Sequence, residues 1–120
     1  MRVGVGVVAG LAGLAVAHAA WAGLFGTQPF DEIAAVDIAE TVVAREHLTA
    51  LSVNCLEFHP TAEAPSKYLV EVREHHSTEC GGDPAVAPLL FTLDVDGASK
   101  TVRLHRAGAP DRPLKWRKGL

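Results

Sequence analysis

Few of the usual marks of a dedicated chemical site are present in this 120-residue chain. It holds two cysteines, no Cys-x-x-Cys and no His-x-x-x-His, so the common zinc-ligand spacings are missing. Arg2 is the only charge before Asp31. No cysteine closes the apolar N-terminal run, which argues against a lipid-anchored lipoprotein. Gly81-Gly82 is followed by neither a helical pattern nor a lysine, so it is no phosphate cradle. Scattered Ser66, Ser77 and Asp83 form no nucleophile elbow, and there is no internal repeat.

The N-terminus carries the most specific signal. Val3 to Ala17 is an unbroken run of Val, Gly, Ala and Leu, followed by Ala17-His18-Ala19 and Ala20-Trp21-Ala22. One basic residue, an apolar stretch and an Ala-x-Ala end are the marks of a secretory signal peptide, cleaved after Ala19 or Ala22. The competing reading is a retained membrane anchor through residues 3–25, barely long enough against the roughly 20 residues a span requires. The expected organisation is a signal peptide (or anchor) at 1–22, one domain at 23–106 and a basic irregular tail at 107–120. The product is expected in the periplasm or outside the cell.

A domain that small often needs a staple. An even cysteine count in an exported chain reads as a disulfide, and Cys55 with Cys80 is the one pairing available. Closing a loop of about 26 residues contributes roughly 3–4 kcal/mol in the chain-entropy account.

Charge is uneven along the chain. From Asp31 to Asp96 there are thirteen acidic residues against Arg45, Lys67 and Arg73. From Gly97 onward seven basic residues face only Asp111. An acidic body argues against nucleic acid as a partner. The basic end is expected to fold back onto that body. Its Arg112-Pro113-Leu114-Lys115-Trp116-Arg117-Lys118 run also offers a weak contact to an anionic surface.

Phe30 to Ala50 lacks Gly and Pro and reads as one helix, opened by Pro29 with Asp31 and Glu32 in its first turn. Phe30, Ile33, Ala34, Ile38, Val42, Ala44 and Leu48 form its expected apolar face. Leu51–Phe58 reads as a strand holding Cys55, and His59-Pro60 through Ser66 as a loop. Lys67–His75 and Leu89–Val95 alternate as strands. Asp96-Gly97-Ala98-Ser99 then turns the chain into a further strand over Lys100–Arg106. The expected fold is α+β: one N-terminal helix on a three- or four-stranded, mainly antiparallel sheet, with one disulfide.

The chemically capable side chains gather at His75-His76-Ser77-Thr78-Glu79-Cys80. Metal binding would use His75 or His76 with Glu79 and a distant His59 or His105, because imidazole and carboxylate suit zinc or copper. In a strand His75 and His76 point to opposite faces, which opposes a shared ion unless the strand has already ended. A Cys80 thiolate beside these histidines would be a nucleophile, but oxidation to Cys55 removes it. Asp94-x-Asp96-Gly97 matches the start of a calcium loop without its later ligands and reads as a turn.

The segment Tyr68 to Asp96, with Tyr-x-Val-x-Val-Arg-Glu-x-His leading into Cys80-Gly81-Gly82-Asp83-Pro84, resembles small exported proteins of proteobacteria. The resemblance covers about a quarter of the chain. It implies an exported domain and carries no mechanism. The order helix, strand, strand is similar to that of PepSY-type exported domains, a likeness of topology alone. The expectation is a non-catalytic binding module of the cell envelope, with no catalytic residue and no cofactor, and with a protein or envelope component as partner. The alternative is a periplasmic metal-binding protein using surface histidines.

Overall fold

The structure, a computed structural model, describes residues 29–117. The signal peptide or anchor expected at 1–22 lies outside the described residues. One helix, α1 (Glu32–Arg45), packs on a five-stranded antiparallel sheet in the order β1 (Leu56–Ala64), β2 (Lys67–Glu74), β3 (Leu89–Asp96), β4 (Thr101–His105), β5 (Arg112–Leu114). The α+β expectation holds, with one strand more than expected.

Asp31 is the N-cap of α1, its carboxylate accepting from the Ala34 amide at 2.9 Å. The helix stops five residues short of the expected Ala50. His47 takes φ 51°, and the Leu48 amide reaches back to the Val43 carbonyl at 3.2 Å. That is a Schellman-type stop. A histidine supplies the left-handed residue, so no glycine marks the end in the sequence.

The buried stripe of α1 is Ala35, Ala39, Val42 and Val43. It is rotated from the expected face: Ile33 is 75% exposed and Ala44 is exposed. The two alanines carry no exposed surface at all, and their small side chains let the helix lie close to the sheet. Opposite them lie Val70, Val72, Phe91, Leu93, Val95, Val102 and Leu104, all buried. Burying a side chain of this kind contributes about 1.5–3 kcal/mol.

Three further boundaries differ from expectation. Cys55 sits in a 3-10 turn, Val53–Cys55, rather than in a strand, and β1 starts only at Leu56. The expected loop from His59 is strand as far as Ala64. Pro60 is tolerated there because β1 is an edge strand, where a missing amide breaks no ladder on the open side. The tail expected to be irregular contributes β5, pairing Val102 with Leu114 and Leu104 with Arg112.

The basic end does fold back onto the body. Trp116 packs on Phe30 with ring centroids 5.7 Å apart, and Phe30 meets Tyr68 at 6.2 Å. Arg45 Nη2 donates to the Lys115 carbonyl. Arg45 Nη1 and Trp116 Nε1 are buried at this contact without an acceptor among the described residues. At the β3–β4 turn, Asp96 accepts from the Ala98 and Ser99 amides at 2.9 and 3.2 Å. Gly97 is needed there for space, since a Cβ would lie 2.3 Å from Phe30 Cγ.

Candidate functional site

The chemistry-bearing side chains occupy two places: the disulfide corner and the sheet face turned away from α1. At the corner Cys55 and Cys80 are bonded, with Cα atoms 5.6 Å apart. Cys80 follows the end of β2 in a tight loop closed by Ser77 and Gly81, whose amides and carbonyls exchange hydrogen bonds. The Cys80 amide donates to Ser77 Oγ at 3.1 Å. Gly81 and Gly82 both have φ near +80°, which a side chain rarely adopts. At Gly82 the His76 ring closes the space as well, 2.6 Å from where a Cβ would stand.

His76 is held at both nitrogens. Nε2 faces Glu74 Oε2 at 3.0 Å and Nδ1 faces the Asp83 carbonyl at 2.9 Å. Both partners are acceptors, a pairing only the doubly protonated ring satisfies. Accordingly its pKa is raised, first by the Glu74 hydrogen bond and then by the Asp83 carbonyl. This clamps the loop carrying Gly82 and Asp83 to the end of β2.

β2 ends at Glu74, one residue before the expected His75, so strand alternation does not govern His75 and His76; they diverge because their rings take different partners. His75 Nδ1 lies 3.0 Å from Glu57 Oε2, and His59 Nε2 lies 2.9 Å from Glu57 Oε1. One β1 carboxylate thus joins two imidazoles, and those hydrogen bonds, that of His75 first, lower the Glu57 pKa. Glu79 is exposed in the Ser77–Gly81 loop. So the structure brings His59 and His75 together through Glu57 and leaves His76 and Glu79 apart from them. Among the described residues, no three His, Cys, Asp or Glu groups are gathered so as to hold a metal ion. Cys80, the one nucleophile candidate beside histidine, is consumed by the disulfide.

The outer sheet face is read from the ladder register. His59 on β1 pairs with Glu71 on β2, Glu71 with Thr92 on β3, and Thr92 with His105 on β4, a row across four strands. The next row runs Thr61, Leu69, Asp94, Arg103, Pro113. Arg73 belongs to the neighbouring row, paired with Glu57 and Leu89, and donates to Glu71 at 3.3 Å and to the Ala87 carbonyl at 2.9 Å. At the far end His105 lies between Asp94 Oδ2 at 2.5 Å and Asp111 Oδ1 at 2.6 Å. Its pKa is raised by the Asp94 and then the Asp111 hydrogen bond.

The Asp94–His105–Asp111 bridge and the role of Glu57 are absent from the sequence reading. Part of the signal was available. The Asp96-Gly97 turn sets a register that puts Asp94 and His105 on one face of the hairpin. Asp111 was out of reach without β5. No family model, curated protein or solved structure matches this chain.

Proposed function

We propose that this chain is an exported, disulfide-stapled, non-catalytic binding module of the cell envelope. The observation that carries the reading is the open outer face of the sheet. Rows of exposed or half-buried hydrogen-bonding groups, His59, Glu71, Thr92, Asp94 and Arg103, lie there on rigid strands. Side chains on paired strands are held in register at low entropic cost, which suits recognition. The Cys55–Cys80 bridge supports an oxidising compartment, since such bonds persist mainly outside the cytosol. Among the described residues no helix is long and apolar enough to cross a membrane. Attachment through residues 3–25 is the alternative for the N-terminus, and the segment likeness to small exported proteobacterial proteins agrees with export.

Site-specific photo-cross-linking in the native host tests the reading. A cross-linker at Thr61 or Arg103, both exposed on the outer face, should capture a discrete envelope partner. One at Ile33 or Thr41, exposed on α1, should not. Capture from α1 alone, or from no position, would contradict it.

The second reading, metal binding by surface histidines, is favoured by one observation: His59 and His75 meet at Glu57. Zinc titration followed by NMR would then perturb His59 and His75 selectively. Uniform or absent perturbation would remove this alternative.

A further inference from the structure

A neutral imidazole has one N–H to donate, and an imidazolium has two. His105 presents both ring nitrogens to carboxylates, Asp94 on β3 and Asp111 in the connection leading to β5. A neutral ring would leave a lone pair facing one carboxylate, so this arrangement calls for the cation.

Asp111 sits one residue before β5, and β5 is only three residues long. Beyond it the chain is secured by Leu114 and Trp116 at the edge of the core and by Arg45 on the Lys115 carbonyl. Trp116 Nε1 and Arg45 Nη1 are buried there without acceptors among the described residues. The charge-assisted grip on Asp111 adds a tie at the start of β5, beside its ladder with β4.

We infer that His105, gripped between Asp94 and Asp111, is an acid-set latch that holds β5 and the Trp116 segment on the sheet. Its charge is complete in mildly acidic solution. As pH rises through the raised value of the folded state the ring loses a proton, one carboxylate is left facing a lone pair, and the end of the chain loosens. Arg112, Lys115, Trp116 and Arg117 then become free to move away from the body.

Other charges around the latch set its sign. Arg103 on β4 is the ladder partner of Asp94, and its charge disfavours a cation nearby. Glu71 on β2 lies beyond Thr92 in the His105 row and favours the cation. On its other side Asp111 lines a hollow with Arg106, Arg112, Glu46 and His47. Arg106 is turned to the opposite face, its guanidinium 4.8 Å from the Phe91 ring centroid and donating to the Leu48 carbonyl at 2.6 Å. The two carboxylates at hydrogen-bond distance from the ring outweigh these more distant groups, in agreement with the raised pKa of His105.

Amide hydrogen exchange of the 15N-labelled, exported protein, corrected for intrinsic rates, tests the latch. Between pH 5.5 and pH 8 the Arg112 and Leu114 amides should lose about tenfold in protection (about 1.4 kcal/mol). Amides in the centre of β2 and β3 should lose none beyond a common baseline. Asp111→Asn keeps the size of the side chain and removes its charge. It should bring β5 protection at pH 5.5 down to the wild-type level at pH 8 and abolish the pH step. A wild type whose β5 protection is flat across this range overturns the latch. So does a pH step that survives in Asp111→Asn, and so does a loss spread evenly over the sheet. Where the variant fails to fold, wild-type exchange alone decides by the first and third of these outcomes.

Discussion

At the scale of single residues, small side chains and caps decide the geometry. Asp31 closes the first turn of α1, and Asp31→Ala should cost about 1 kcal/mol, the usual effect of deleting an N-cap. Denaturant unfolding measures it. Ala39 carries no exposed surface, so Ala39→Leu should cost about 1–3 kcal/mol by overpacking the contact with the sheet. Ile33→Lys, at a residue 75% exposed, should stay within about 0.5 kcal/mol of wild type. The pair separates the observed helix face from the one expected from hydrophobic residues alone. Projection at helical spacing placed Ile33, Ala34 and Ala44 on the apolar face and left out Ala35 and Ala39. Close approach of a helix to a sheet rewards the alanines, and that reward depends on a partner surface which one segment does not encode.

At the scale of elements, legibility follows whether the signal is local. The β3–β4 hairpin was readable because alternation and the Asp96-Gly97 turn lie in one short window. The disulfide was readable because two cysteines admit one pairing. The run of β1 through Pro60 was not, since proline reads as a loop until its strand is known to be at an edge. The same holds for β5, which has three residues, one of them Pro113, and exists only by pairing with β4. The candidate site divides likewise. The divergence of His75 and His76 was expected from strand alternation, but β2 ends at Glu74 and their separate partners set it instead; the meeting of His59 and His75 at Glu57 required the β1–β2 register. Gly97 shows how an element depends on a remote ring. Gly97→Ala would drive a methyl group into Phe30, which also carries Trp116, and should lower Tm together with a change in the Trp116 near-UV signal. A Tm within 1 °C of wild type would contradict the packing described for Phe30.

At the scale of the whole molecule, charge and covalency set the working range. His76 and His105 have raised pKa values, so their contribution is complete below the ordinary histidine value of 6.5. It is lost as pH rises through their folded values. Glu57 and Asp96 have lowered values, so their contribution is present above their ordinary 4.5 and 3.8. It is lost as pH falls through the folded values. Tm should therefore peak between pH 4.5 and 6.5, bounded by the ordinary values of Glu57 and the two histidines. Thermal unfolding across pH 3 to 9 checks it, and a maximum at pH 8 would contradict the paired-histidine account. The Cys55–Cys80 bridge anchors the turn before β1 to the loop after β2, and its reduction should cost about 2–5 kcal/mol.

Export, oxidation and binding form one account, and an intact mass of the protein recovered from its native host tests it most directly. The sample is read under native conditions and again after denaturation without reductant. A polypeptide lacking its first 19 or 22 residues, two hydrogens light, carrying no metal under native conditions, is the predicted result. A full-length mass with free thiols, or a native mass that retains a metal, would contradict it.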